Sequence, residues 1–369
     1  MDDLKYWVGF NLVNGIGAVR FRRLLDFFGS AREAWQATAA GLAQAGIDAR
    51  CVESILAVRA RANLDRHMER LAQLGISLLT WDDPVYPRLL KEIHSPPPLL
   101  YVKGSLAPQD DLALAVVGTR RVTVYGREAA LQLAGDLGRH CITVVSGLAK
   151  GVDTVAHRAA LDAGGRTIAV LGTGLDTVYP PENTRLAAEI AERGALITDY
   201  PLGTKPEASN FPPRNRLISG LSLGVIIVEA GETSGALITC DFALEQGRDV
   251  FAVPGNITSR LSRGTNRLIQ QGAKLITRVD DVLEELNLNM VPQQLTMREV
   301  LPESPAEASL LKHLSTEPTH VDEICQRTGL PVAEVSATLT VMELKGLVRQ
   351  VGGMNYVVAR ESGPLYGAE

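Results

Sequence analysis

The sequence predicts an α/β protein built around a doubly wound, mostly parallel sheet. Between Gly75 and about Leu286, short apolar runs alternate with stretches of helical periodicity. Those runs are continuous rather than alternating, as in parallel strands covered on both faces. At 369 residues, 46% hydrophobic and 21% charged, the chain has room for two or three domains with cores of their own.

The expected strands are Ile76–Leu79, Leu112–Val117, Ile142–Val145, Thr167–Leu171, Ala195–Thr198, Gly224–Val228, Val250–Val253 and Lys274–Ile276. Helices are expected between them at Arg127–Leu137, Asp153–Leu161, Thr184–Ala191 and Ala236–Glu245. Together they make a Rossmann-like domain over residues 73–288.

Residues 1–72 read all-helical, with apolar residues at helical spacing in Val19, Phe21, Leu24, Leu25 and Phe28, and again in Val52, Ile55, Leu56 and Val58. The turn Asn14-Gly15-Ile16-Gly17 resembles that of a helix-hairpin-helix (SAM-like) module, whose backbone N–H groups can meet a DNA phosphate. The alternative is a tight helix–helix turn that needs glycine only for its backbone freedom. Ten basic and eight acidic side chains over residues 1–75 leave only +2, which favours the plain turn over a DNA contact.

Residues 289–305, with Pro292, Pro302 and Pro305, read as a linker. Residues 306–360 read helix (Ala306–Leu314), helix (Val321–Thr328), helix (Val332–Leu344), then two strands around Leu347–Arg349 and Tyr356–Val358, joined at Gly352-Gly353. That is the order of a winged helix. Its third helix carries Glu334 and Glu343 with Lys345 beside them, and residues 306–360 sum to −1. Protein contact, or a weak DNA contact, fits that charge better than base reading does.

The net charge of −5 requires any nucleic-acid site to be a local concentration of cations. Cys51, Cys141, Cys240 and Cys325 are dispersed, without a C-x-x-C pair, as expected of free thiols in a reducing compartment. No clustered metal ligands stand out, so neither a metal nor a cofactor is expected. The start Met1-Asp2-Asp3-Leu4-Lys5 lacks a basic, apolar leader, and the longest apolar run, Leu223–Ala230, is too short for a membrane span. A cytoplasmic location is the expectation.

In a doubly wound sheet, ligands sit beyond the carboxyl ends of the strands. Four clusters fall near those ends. Gly118-Thr119-Arg120-Arg121 offers close backbone approach, a hydroxyl and planar phosphate-binding forks. Ser146-Gly147, with Lys150-Gly151, makes an anion-binding loop at a helix start, without P-loop spacing. Gly172-Thr173-Gly174 has Thr177 where a dinucleotide fingerprint needs a third glycine, so it reads as a tight loop. Phe211-Pro212-Pro213-Arg214-Asn215-Arg216, followed by Ser219-Gly220, sets two guanidinium groups around an asparagine beside an aromatic ring. This stretch reads either as a nucleic-acid contact or as a rigid proline turn whose arginines pair with carboxylates such as Glu229.

Asp153 and His157 share a helix face at i, i+4 and form the one plausible acid–base pair. Holding the neighbouring loop by hydrogen bonds explains them better. Glu229 ends a strand where a ribose or metal could bind, but no second carboxylate is placed to assist it.

In this order, VVGTRRVTVYG (116–126), SGLAKGVDTVAHRAAL (146–161), GTGLDTVYPPEN (172–183), FPPRNRLISGLS (211–222), SGALITCDFALEQGRDVFAVPGN (234–256) and RGTNRLIQQGA (263–273) resemble the DprA family of DNA-processing proteins of bacterial natural transformation. The resemblance covers the whole middle domain and is less sharp at the two ends. It implies a homodimer that binds single-stranded DNA in a basic pocket and loads RecA recombinase onto it. Carried over, the pocket would use Arg120, Ser146, Gly147 and Lys150 for phosphates, completed by Arg214, Asn215 and Arg216, with Gly255 and Asn256 at the next strand end. The dimer surface would involve Leu244, Ile269 and Gln270. Duplex DNA is a further candidate ligand for the terminal modules.

The competing expectation is a nucleotide-processing enzyme akin to the phosphoribohydrolases of the same sheet type. Their P-G-G-x-G-T-x-x-E loop is missing, since residues 228–235 read VEAGETSG. The binder, not the enzyme, is therefore expected.

Overall fold

The computed structural model describes residues 3–288, 305–314, 319–344, 348–351 and 353–358. They divide into two compact units, 1–288 and 289–369.

The first unit opens with six helices: α1 (Leu4–Asn11), α2 (Ala18–Phe28), α3 (Ala31–Gln36), α4 (Ala39–Gln44), α5 (Ala49–Arg61) and α6 (Leu64–Gln73). Local chemistry starts four of them. Ser30, Thr38, Asp48 and Asn63 each accept a hydrogen bond from the backbone N–H three residues on, satisfying a donor that the helix leaves open.

There follow β1 (Ile76–Thr80), α7 (Arg88–Lys91), β2 (Leu99–Gly104), β3 (Ala113–Val117), α8 (Val124–Arg139), β4 (Thr143–Ser146), α9 (Val152–Asp162), β5 (Thr167–Val170), α10 (Thr184–Arg193), β6 (Ala195–Thr198), α11 (Phe211–Gly220), β7 (Gly224–Ile227), α12 (Ala236–Glu245), β8 (Asp249–Ala252), α13 (Arg263–Gln270), β9 (Lys274–Leu275) and α14 (Val279–Glu285). The strands form one nine-stranded sheet in the order β1-β2-β6-β5-β4-β3-β7-β8-β9. From β3 to β9 all pairings are parallel, and β3 to β7 are buried along their whole length. Succession runs from β3 outward through β4, β5 and β6, then resumes on the other side of β3 with β7. The order therefore reverses between β3 and β7.

Two expectations need correction. The run at Ile76 is not a buried parallel strand: β1 is an edge strand paired antiparallel to β2, with its middle residues partly exposed. The unforeseen β2 pairs antiparallel to β6 as well. The segment Phe211–Gly220, for which a rigid proline turn is one of two sequence readings, is a helix, because Pro212 stands in the first turn, where no N–H is needed.

The N-terminal helices and the sheet share one hydrophobic cluster. The Trp7 ring meets Phe21 at 4.7 Å and Trp81, just after β1, at 5.9 Å. Tyr101 of β2 donates its hydroxyl to Asn11 at 2.9 Å, and Asn11 donates in turn to the Asp199 carbonyl.

The second unit contains α15 (Pro305–His313), β10 (Thr319–His320), α16 (Val321–Thr328), α17 (Val332–Leu344), β11 (Val348–Gln350) and β12 (Asn355–Val358). The strands pair antiparallel in the order β10-β12-β11 over a core of Leu310, Ile324, Val335, Leu339, Met342, Val348 and Tyr356. This is a winged helix. Residues 289–304 of the expected linker, Lys345, Leu347 and Gly352 lie outside the described residues.

Candidate nucleic-acid interface

The crevice at the carboxyl ends of β3, β4, β5 and β6 is assembled by loops that touch one another through glycine. A Cβ on Gly151, at φ +82°, would lie 2.3 Å from the Thr119 carbonyl oxygen and 2.9 Å from the Arg120 Cα. Only glycine lets the loops after β3 and β4 come this close, and their contact places Arg120 beside Lys150. Gly118 is closed in similarly: its Cβ would meet Val152 at 2.6 Å and the Glu229 carbonyl oxygen at 2.9 Å.

The loop after β4 is held from beneath. Ser146 is fully buried and donates to the Val116 carbonyl at 2.7 Å. The Asp153 carboxylate accepts from the Gly147 and Ala149 N–H groups at 3.1 and 3.3 Å. Burial pushes its carboxyl up to about 6, against the opposing pull of Arg214 and these two N–H groups. Leu148, a buried residue at φ +58°, completes the curl, and Asn183 donates to its carbonyl at 2.9 Å.

His157 is fully buried, with Nδ1 at 2.6 Å from Thr167 Oγ1. The Thr167 hydroxyl spends its one proton on the Val144 carbonyl, so it accepts from His157 Nδ1–H. Nε2 then carries the lone pair and meets no partner. Burial pulls the ring down to about 3, which keeps it neutral. Asp153 and His157 thus serve the loop and the core beneath it.

Phe211 is the hub of the crevice. Its ring lies over Gly172, where a Cβ would be 2.9 Å away, and faces the half-exposed Tyr179 ring at 5.7 Å. The Arg120 guanidinium is 5.4 Å from its centre and that of Arg214 5.8 Å. The loops after β3 and β5 thus meet the start of α11 here. Arg120 and Arg121 are exposed, and among the described residues neither side chain has a hydrogen-bond or ion-pair partner.

The other expected residues divide. Lys150 is exposed and pairs with Glu182, whose contact raises the lysine and lowers the carboxyl. Such an exposed pair is weak and exchangeable. Arg214 does not line the surface: it is 4% exposed and donates to the Gly147 carbonyl at 2.9 Å and to the Val170 carbonyl. Burial pulls it down to about 10, still cationic at neutral pH. Arg216 turns away, to Asp199 at 2.6 Å and the Ser95 carbonyl at 2.6 Å, so its carboxylate partner is Asp199 and not Glu229. Asn215 bridges Arg214 Nε and the Gly235 carbonyl.

Ser219 and Gly220 are buried at the far end of α11, roughly 12 Å of helix from Phe211. Gly220 packs there against Leu90 and Ile93. Thr119 is nearly buried and accepts from the Arg121 N–H. Gly255 is locked to Asn266 by hydrogen bonds in both directions, and the Asn256 side chain accepts from Thr258. Glu229, 2% exposed, accepts from the Thr123 N–H and hydroxyl at the start of α8, one hydrogen bond on each carboxylate oxygen. Among the described residues no group of three or more His, Cys, Asp or Glu could hold a metal ion, and no helix is long and apolar enough to cross a membrane.

Leu244, at the end of α12, is 65% exposed, while Ile269 and Gln270 close α13 half-buried and exposed. Tyr179 was missed as a site residue, since nothing in its local pattern shows that it would stand beside Phe211.

The family described as DNA recombination-mediator protein A matches residues 77–287, and the DprA winged helix domain matches residues 296–354. The chain is 37% identical to protein Smf of Synechocystis over 96% of its own length and 98% of that protein. It is 47% identical to DNA processing protein DprA of Streptococcus pneumoniae over 60% of this chain and 78% of that one. The crystal structure of the pneumococcal protein superposes with a TM-score of 0.68, covering 76% of this chain and 97% of that chain at 37% identity. DNA processing protein A of Helicobacter pylori, solved to describe its single-stranded-DNA-binding mode, superposes at 0.53, covering 59% of this chain and 98% of that chain at 31% identity. On these matches, and on the nine-stranded sheet and winged helix they accompany, the chain belongs to the DNA recombination-mediator protein A (DprA) family.

Proposed function

We propose that this protein is a homodimeric single-strand binder that loads RecA recombinase, acting in the cytoplasm by binding and not by catalysis. The observation that carries the reading is the grouping of Arg120, Tyr179 and Phe211 at one crevice, with Lys150 on the adjoining loop. Rings stack on bases of any sequence and guanidinium groups hold phosphates, so this set grips a flexible strand without reading it. The Helicobacter pylori relative supports the choice of ligand, and the family's description as recombination mediators supports the step to RecA.

The phosphate contacts in this reading are Arg120, Arg121 and Lys150, with the backbone of Gly118, Thr119 and Gly151 bringing them together. Ser146, Gly147 and Arg214 hold that surface from below, and Gly255 and Asn256, beyond the end of β8, are the residues that the family resemblance adds to it. The employment of Asp153 and His157 within the fold supports a non-catalytic role.

Arg120→Glu and Lys150→Glu should each abolish binding to an oligothymidylate while leaving the circular-dichroism melt unchanged. Wild-type affinity in both would rule out the crevice. Release of adenine from AMP above a boiled control would overturn the non-enzymatic reading. In sedimentation, Leu244→Glu should convert a dimer to a monomer.

A further inference from the structure

Away from the crevice, helix α2 turns one face outward carrying Val19, Arg22, Arg23 and Asp26, the i, i+3, i+4, i+7 spacing of a single stripe. That stripe lines a cavity of about 400 Å³, closed on its other side by Trp81, His94 and Pro96. Arg22 is exposed, its guanidinium lies 4.3 Å from the centre of the Trp81 ring, and among the described residues it has no hydrogen-bond or ion-pair partner. Stacking fixes the planar fork in place while leaving its N–H donors free. Arg23 spends one N–H on the Gly46 carbonyl at 2.9 Å. Val19, 62% exposed, and Pro96 supply an apolar wall.

We propose that this cavity is the docking site for an acidic peptide segment of a partner protein, with an aliphatic side chain of the peptide against Val19 and Pro96 and its carboxylates on Arg22, Arg23 and His94. Charge complementarity chooses the occupant: two guanidinium groups stand beside an apolar wall, opposed within the lining by Asp26 alone, and His94 adds a ring nitrogen for hydrogen bonding. Nucleic acid fits less well. The one ring here, Trp81, is 3% exposed and already covered by Arg22, so no base can stack on it. The turn at Asn14–Gly17 is not part of the cavity's lining, and the nearby Arg20 pairs with Asp48 at 2.8 Å. The proposal stands apart from the reading of the crevice.

The test uses the full chain and a short fluorescein-labelled peptide carrying one leucine flanked by aspartates, followed by fluorescence anisotropy. Binding should be salt-sensitive, should weaken at least about tenfold in Arg22→Glu and again in Val19→Asp, and should leave oligothymidylate affinity intact. Val19→Asp alters a surface position, so it separates docking from folding should Arg22→Glu melt early. Equal binding of the asparagine version of the peptide, or undiminished binding in both variants, would overturn the proposal. So would a loss of oligothymidylate affinity, or of self-association, in place of peptide binding, since either would assign the cavity to another occupant.

Discussion

The Arg120 guanidinium lies 5.4 Å from the centre of the Phe211 ring, although the two residues come from opposite sides of three intervening strands in the sequence. A cation over an aromatic face is both a phosphate contact and one wall of a stacking platform. Phe211→Ala should therefore weaken oligothymidylate binding by roughly 1–3 kcal/mol, as removal of a stacking ring does. Phe211→Tyr should retain most of the affinity. Titration at several salt concentrations distinguishes the ring from the cation, since Arg120→Ala should also flatten the salt slope by about 0.7 for each phosphate left without its cation.

Glu182 competes for Lys150. If Lys150 holds the strand as proposed, binding has to displace this carboxylate, so Glu182→Gln should tighten oligothymidylate binding by roughly 2–5-fold at low salt, with the gain shrinking as salt screens the pair. An unchanged affinity across the salt range would show that Lys150 does not meet the strand.

Arg214 should report on folding rather than on DNA. Arg214→Ala leaves the Gly147 and Val170 carbonyls and the buried Asp153 carboxylate without its cation, a loss of about 3–5 kcal/mol in a urea titration. Arg216→Ala, which strips Asp199 of its partner closer to the surface, should cost less, on the order of 1–2 kcal/mol. Equal destabilisation by the two would contradict the burial difference between them.

The buried pair Asp153 and His157 makes opposing contributions to acid stability. His157 titrates at about 3 in the fold against an ordinary 6.5, so the unfolded chain binds more protons between those values and stability is lost as pH falls through that window. Asp153 titrates at about 6 against an ordinary 3.8, so the folded chain binds more protons there and stability is gained as pH falls from 6 towards 4. The two slopes offset each other between about pH 4 and 6. His157→Gln removes the first slope, and its unfolding free energy from urea titration, relative to wild type, should improve on going from pH 7 to pH 4 by about 3 kcal/mol. A parallel decline of both proteins would show that His157 is not held neutral.

The parallel strands were legible because each is a short apolar run punctuated by glycine or a polar turn. Strand β2 was not, since Leu99–Gly104 follows three prolines, at residues 96, 97 and 98, that mark a turn in any local reading. Helix α11 was hidden for the same reason: Pro212 and Pro213 break a helix interior but are tolerated in its first turn. In the site, Arg120 and Lys150 were recognisable as exposed cations on glycine-bearing loops. The roles of Arg214 and Arg216 were not, because the same guanidinium serves a surface phosphate or a buried carbonyl and only burial separates the two uses.

By itself the sequence determined the sheet class, the winged-helix order and the family, for apolar periodicity and turn chemistry are local and the motif series is long. Which side chains share the crevice was decided only by the tertiary structure. The reversal of strand order beside β3 and the close approach at Gly151 bring together residues from separate loops, and no local pattern encodes how far a side chain ends up from water.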